Sequence, residues 1–198
     1  EDYAEAAAKR FQVLDAWEDE APPGSTPAET HYRMGMTLLQ QNQPRQARTA
    51  LLRAIEAKPD LDPAYFVLAQ ISSLASRPNK AIEWIRKAIS INPVRPRYHL
   101  LLGENLPTTE ATAAIDAVKV AIKLNPSEGK FFNALGNMQF ADGQNESAVK
   151  SYRYAIRLDQ ENPIFHLNLS TVLRKLGDEN GSKRERNLYF RLSARQSN

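Results

Sequence analysis

The chain has no cysteine among its 198 residues, which excludes disulfides, thiolate metal sites and cysteine nucleophiles together. No apolar run approaches the roughly 20 residues of a membrane span, and no signal-peptide pattern opens the sequence. A soluble protein is expected, cytoplasmic or periplasmic, with the compartment undecided. The first residue is Glu1 rather than methionine, which suggests a processed protein or an excised piece and leaves room for an anchor or an enzyme domain outside it. Glycine is scarce, at 8 residues. No glycine-rich phosphate loop, H-E-x-x-H or arguable Ser, His and Asp constellation occurs, so no catalysis and no cofactor are expected of this segment.

Strong charge of one sign is missing too. A net charge of +3 is too small to imply a polyanionic partner, although weak association with acidic surfaces is open to it. Position is more telling. Residues 1–20 carry a net −5 and residues 174–198 a net +4, giving an acidic head and a basic tail. The tail has no interleaved stacking aromatics beyond Tyr189 and Phe190, so it reads as a solvated helix rather than a nucleic-acid surface.

What the chain does have is a grid, A-x3-L-x2-A-x4-P. It runs Ala47, Leu51, Ala54, Pro59, and returns after 34 residues as Ala81, Ile85, Ala88, Pro93. A third copy is Ala114, Val118, Ala121, Pro126, and a fourth is Ala148, Tyr152, Ala155, with Gln160 in place of proline. Small residues at helical spacing let another helix approach closely, and a proline after the last turn stops the helix. Each grid follows a companion helix: His31, Met34, Gly35, Leu38; then Tyr65, Leu68, Ala69, Ser72; then His99, Leu102, Gly103, Leu106; then Phe132, Leu135, Gly136, Gln139. Short turns at residues 42–44, 77–79 and 142–144 join the pairs, so each unit is two antiparallel helices.

This pattern resembles the tetratricopeptide repeat family, whose W-x2-L-G-x2-Y, A-x3-F and P signature recurs every roughly 34 residues. The resemblance implies an all-α fold, a right-handed α-solenoid of helix-turn-helix repeats. The repeats fall at 28–61, 62–95, 96–128 and 129–162. A degenerate fifth at 163–198 starts with His166, Leu169, Ser170 and Leu173, then fails at Ser182, Arg186 and Tyr189. The stretch 179–194 reads as a capping helix. Before the array, residues 1–20 form an amphipathic extra helix, with Tyr3, Ala7, Phe11, Leu14 and Trp17 in one stripe, and 21–27 a Pro- and Gly-rich linker.

Repeat three departs from the others. Its two small residues, Gly103 and Ala114, stand 11 apart where the other repeats have 12. Pro107, Thr108 and Thr109 intervene. Its first helix is expected to stop near Leu106 and its turn to be rebuilt, either as a plain one-residue deletion or as an opening at one edge of a groove.

The family lines its concave side with first helices. Carried over, the resemblance implies a binding groove of Tyr32, Met36 and Leu39 in repeat one; Phe66, Gln70, Ser73 and Leu74 in repeat two; and Leu100 and Glu104 in repeat three. Repeat four adds Asn133, Asn137 and Phe140, and the fifth Leu167, Asn168, Thr171 and Arg174. Asparagine amides donate and accept at once, which suits the backbone of an extended peptide. Tyr32, Phe66 and Leu100 have the alternative of filling gaps between units. The family's clamp for a C-terminal carboxylate combines lysine, arginine and asparagine on successive first helices; Leu100, Glu104 and Leu167 break that set. The histidines His31, His99 and His166 lie 68 and 67 residues apart. That is too far along an array to share one metal ion, and all three hold the aromatic packing position.

The expected function is a non-catalytic interaction scaffold that binds a peptide, helix or protein partner in the groove. The alternatives are the recognition part of a larger transferase or hydrolase, and an adaptor that self-assembles through its acidic N-terminal helix.

Overall fold

The computed structural model describes residues 24–196, a sequence of helices with one short 3-10 turn. The expected N-terminal helix at 1–20 lies outside the described residues. The backbone divides into two compact units at Pro93 and Val94.

The first unit holds α1 (Pro27–Gln40), α2 (Pro44–Ala57), α3 (Asp62–Leu74) and α4 (Pro78–Ile91), with α1 packed on α2 and α3 on α4. The second holds α5 (Pro96–Asn105), α6 (Ala111–Leu124), α7 (Gly129–Ala141), α8 (Asn145–Leu158), α9 (Pro163–Lys175) and α10 (Glu179–Gln196). There α5 pairs with α6, α7 with α8 and α9 with α10.

Proline works at both ends of these helices. Six of them, α1 to α5 and α9, carry it at the first or second position, where the missing N–H costs no hydrogen bond and φ is already helical. At α1 the start is reinforced by a reciprocal pair: Glu29 N donates to Thr26 Oγ1 at 3.3 Å and Thr26 N donates to Glu29 Oε2 at 3.1 Å. The bond from Thr26 N, and then the Thr26 side chain, hold the Glu29 carboxyl below its ordinary value. Within the hairpins the chain reverses through left-handed residues Asn42, Ser76, Gly143 and Gly177, which direct the last carbonyls of one helix to N–H groups of the turn.

The grid is the core. Ala47, Leu51, Ala54, Ala81, Ile85, Ala88, Val118, Ala121, Ala148 and Ala155 are completely buried. The companion helices approach so closely that a Cβ at Gly35 would stand 2.8 Å from Leu51 Cγ, and one at Gly136 2.6 Å from the Tyr152 ring. Neither position can hold alanine without displacing a buried side chain.

In repeats three and four the buried stripe of the first helix is shifted by one residue from the family pattern. Tyr98, Leu101, Phe131 and Ala134 are buried, while His99, Leu102, Phe132 and Leu135 are half-buried. A helix inside an array is covered on two sides, so a second stripe about 100° round the helix also packs.

The last pair is tied by a histidine. His166 is buried, its Nδ1 2.7 Å from Glu185 Oε2 on α10 and its Nε2 3.2 Å from the Gln160 carbonyl. The α10 helix exposes Phe190 and buries only Gly181, Ser182 and Leu192, the profile of a helix covered on one face.

Candidate functional site

Two groups of first-helix residues emerge, one in each unit. In the first unit Tyr32, Met36, Leu39 and Phe66 are half-buried at the edge of the cluster formed by Leu51, Ala54, Ala64, Val67 and Leu68. Each therefore packs on the core and keeps part of its surface in solvent, combining gap-filling with exposure. Gln70 and Ser73 are half-buried, and Leu74 is 89% exposed. Burial, and then the carboxylate of Asp62, pushes the Tyr32 phenol above its ordinary value. The strip is apolar and carries no charged side chain of its own.

In the second unit the asparagines meet. Asn133 and Asn137, four residues apart on α7, share a face. Asn168 on α9 donates through Nδ2 to Asn133 Oδ1 at 2.8 Å and to Asn137 Oδ1 at 3.2 Å. From the second helix of the same hairpin, the Tyr152 hydroxyl donates to Asn137 Oδ1 at 2.9 Å. Burial pushes that phenol up to about 12, so it is a neutral donor throughout the ordinary pH range. Tyr152 is the residue sequence reasoning missed, because its grid position marks it as core and nothing in the spacing says that its hydroxyl crosses to α7.

The network orients the amides without exhausting them. The Nδ2 groups of Asn133 and Asn137 and the Oδ1 of Asn168 have no hydrogen-bond partner among the described residues. Around this cluster, Phe140 is half-buried with the Lys175 ammonium 4.8 Å from its ring centroid, and Arg174 is exposed. Thr171 gives its hydroxyl to the Leu167 carbonyl at 3.0 Å. Leu100 and Leu167 are half-buried.

The rebuilt turn of repeat three is visible. The α5 helix stops at Asn105, three or more residues shorter than α1, α3, α7 and α9. Leu106 is extended at φ −66° and ψ 140°, as expected of a residue before proline, and the 3-10 turn Thr108–Glu110 leads into α6. Glu104 stands on the last turn of α5. Burial raises its carboxyl above the ordinary 4.5, although solvent reaches much of the side chain. The folded protein thus holds the Glu104 proton more tightly than the unfolded chain does. That stabilising contribution is present below pH 4.5 and is lost as pH rises through the folded-state value. Thermal melts of wild type and Glu104→Gln across pH 4 to 7 should show wild type no more stable at pH 7, with the difference moving in its favour on acidification.

No group of three or more histidine, aspartate or glutamate side chains able to hold a metal gathers among the described residues. No helix there is long and apolar enough to cross a membrane.

The helical hairpins, the buried small-residue grid and the 34-residue period define a helical-repeat protein. Residues 32–103 match the family model described as tetratricopeptide repeat, and residues 136–177 a second described as TPR repeat. The chain belongs to the tetratricopeptide repeat family. It is 29% identical over 125 residues to the small glutamine-rich tetratricopeptide repeat-containing protein 2 of Mycosarcoma maydis, across 58% of this chain and 36% of that protein. Two other curated relatives are spanned over only 10% and 19% of their lengths. Among solved structures, MamA from Desulfovibrio magneticus is 15% identical with a TM-score of 0.79, covering 88% of this chain and 99% of that one. YrrB, described as a TPR protein with an unusual peptide-binding site, is 14% identical with a TM-score of 0.67, over 83% and 86%. The repeats make this chain a protein-interaction scaffold in the general sense of its family.

Proposed function

We propose that the chain is a non-catalytic scaffold that holds an extended peptide against the first helices of its second unit. The observation that carries this is the asparagine cluster. Asn133, Asn137 and Asn168 are fixed by one another and by Tyr152, yet keep amide N–H groups and a carbonyl oxygen without partners. An extended peptide offers the complementary carbonyl and N–H groups along its backbone. Because the amides are already ordered, less entropy is lost when they bind. The likeness of fold to YrrB, itself described by a peptide-binding site, supports a peptide as occupant, and the half-buried apolar strip of Tyr32, Met36 and Phe66 is proposed as a further contact surface. The same site would serve a longer enzyme or a self-assembling adaptor, since both need a bound segment.

Selection from a displayed random peptide library, followed by titration of the selected peptide, tests this. Asn133→Ala with Asn137→Ala should weaken binding roughly tenfold to a hundredfold, the loss of about 1–3 kcal/mol expected when desolvated polar partners go unpaired. Thr171→Ala, whose hydroxyl is engaged within its own helix, should change affinity little. Unchanged affinity in the asparagine double variant would remove the amide cluster from the function.

A further inference from the structure

The shortened helix of repeat three leaves a space. A cavity of about 290 Å³ lies where α5, its rebuilt turn, α6 and α7 meet. Its apolar wall comes from Leu106, Pro107, Ala114, Ala134, Met138 and Ala141. Had α5 continued to the length of the other first helices, its next turn would stand where Leu106 and Pro107 instead run extended. The core beneath is untouched, with Val118 and Ala121 completely buried and Ala114 nearly so. The missing residue therefore produces an opening rather than a packing fault.

The charged groups at this opening are of one sign. Glu104 and Asp142 line it beside the neutral Thr108 and Asn137, and no lysine, arginine or histidine does. Asp142 Oδ2 accepts from Gln144 Nε2 at 2.7 Å. Glu104 has no hydrogen bond or ion pair with any described residue, so its carboxylate is uncompensated beside an apolar wall.

We propose that this opening is a subsite for a long basic side chain, lysine or arginine, of a bound partner peptide. The chemistry is specific: a stem of three or four methylenes needs apolar walls while its cationic head needs a carboxylate, and both lie within one cavity. The size agrees, because about 300 Å³ is the small end of ligand sites, enough for one side chain and too little for a folded element. Continuity agrees as well. Asn137 belongs both to this lining and to the amide cluster, so a peptide backbone held at the amides can drop a neighbouring side chain here. The proposal rests on the peptide-scaffold reading and adds the partner's charge.

The test is a titration of the full chain, followed by backbone amide NMR, with arginine and lysine blocked as N-acetyl, N-methylamide derivatives. Blocked citrulline, an uncharged near-isostere of arginine, and blocked norleucine, a stem without charge, are the comparison probes. Both basic probes should give saturable shifts centred on Thr108, Ala111, Met138 and Ala141. Citrulline and norleucine should bind at least tenfold more weakly, and Glu104→Gln with Asp142→Asn should weaken the basic probes by a similar factor. Ala141→Leu places a good helix former at an exposed last-turn position; it should fill the cavity and abolish the shifts with the fold retained. Norleucine binding as tightly as arginine would overturn the proposal, as would shifts that never saturate or that survive Ala141→Leu. If these probes fail while a selected peptide still depends on Asn137, the basic subsite falls and the peptide scaffold stands.

Discussion

Tyr152→Ala is expected to destabilise the second unit by about 3–5 kcal/mol, the range for removing a large buried aromatic ring. The ring is 2% exposed and sits in a cluster with Ala148, Val149, Leu169, Val172 and Leu173. It also lies directly beneath Gly136, a residue with no side chain to move into the vacated volume. A poorly refilled cavity puts the cost toward the upper end of that range. In a chain of this size the loss corresponds to a fall in melting temperature on the order of 10 °C, measurable by circular dichroism. Tyr152→Phe separates core from site. It keeps the ring and removes only the hydroxyl bonded to Asn137, for about 1 kcal/mol, so peptide affinity should fall with little change in melting. Melting of Tyr152→Ala within 2 °C of wild type would refute this placement of the ring.

Leu51→Ala should do the same to the first unit, at about 2–5 kcal/mol. Leu51 is completely buried among Ala54, Ala64, Val67 and Leu68, and its Cγ lies 2.8 Å from where a Cβ on Gly35 would fall. Ala54 and Ala64 beside it have no side-chain length to fill the space, while the larger side chains around the cluster are already packed against it. Urea unfolding followed by tryptophan emission is a suitable measurement, since Trp84 packs against this cluster. The midpoint should drop while the emission of the native state stays close to that of wild type; an unchanged midpoint would mean that the α1–α2 hairpin does not depend on its central leucine.

These two residues also mark what the sequence made legible. Both occupy the same grid position one hundred and one residues apart, and period alone identified them as core. The choice of candidate residues on first helices came from the family resemblance, and spacing by four then showed which of them share a helical face. Neither could pair them across helices. That Asn168 reaches Asn133 and Asn137, or that the Tyr152 hydroxyl reaches α7, depends on side-chain directions across neighbouring helices. Spacing along one helix does not encode those directions.

The burial of Tyr98 and Phe131 in place of full burial for His99 and Phe132 has a similar origin. A one-dimensional pattern records the stripe used in every repeat, and the second stripe is set by the particular neighbour. The short spacing of repeat three was readable as an irregularity. The helix stop near Leu106 was readable with it, and an opening was one of two expected outcomes; the lining was not, since Met138, Ala141 and Asp142 come to the opening from α7, more than thirty residues beyond Gly103.

Under the proposed basic subsite, the turn after Asn105 lets the array vary its recognition through chain length instead of residue identity. Losing one position between two helices leaves every grid residue in register and the buried alanines unaltered, yet it retracts a helix end and exposes the wall of the next repeat. Stacking and recognition are thereby uncoupled: the length of one loop becomes an adjustable parameter of specificity, one that substitutions in the core could not change without unfolding the repeat.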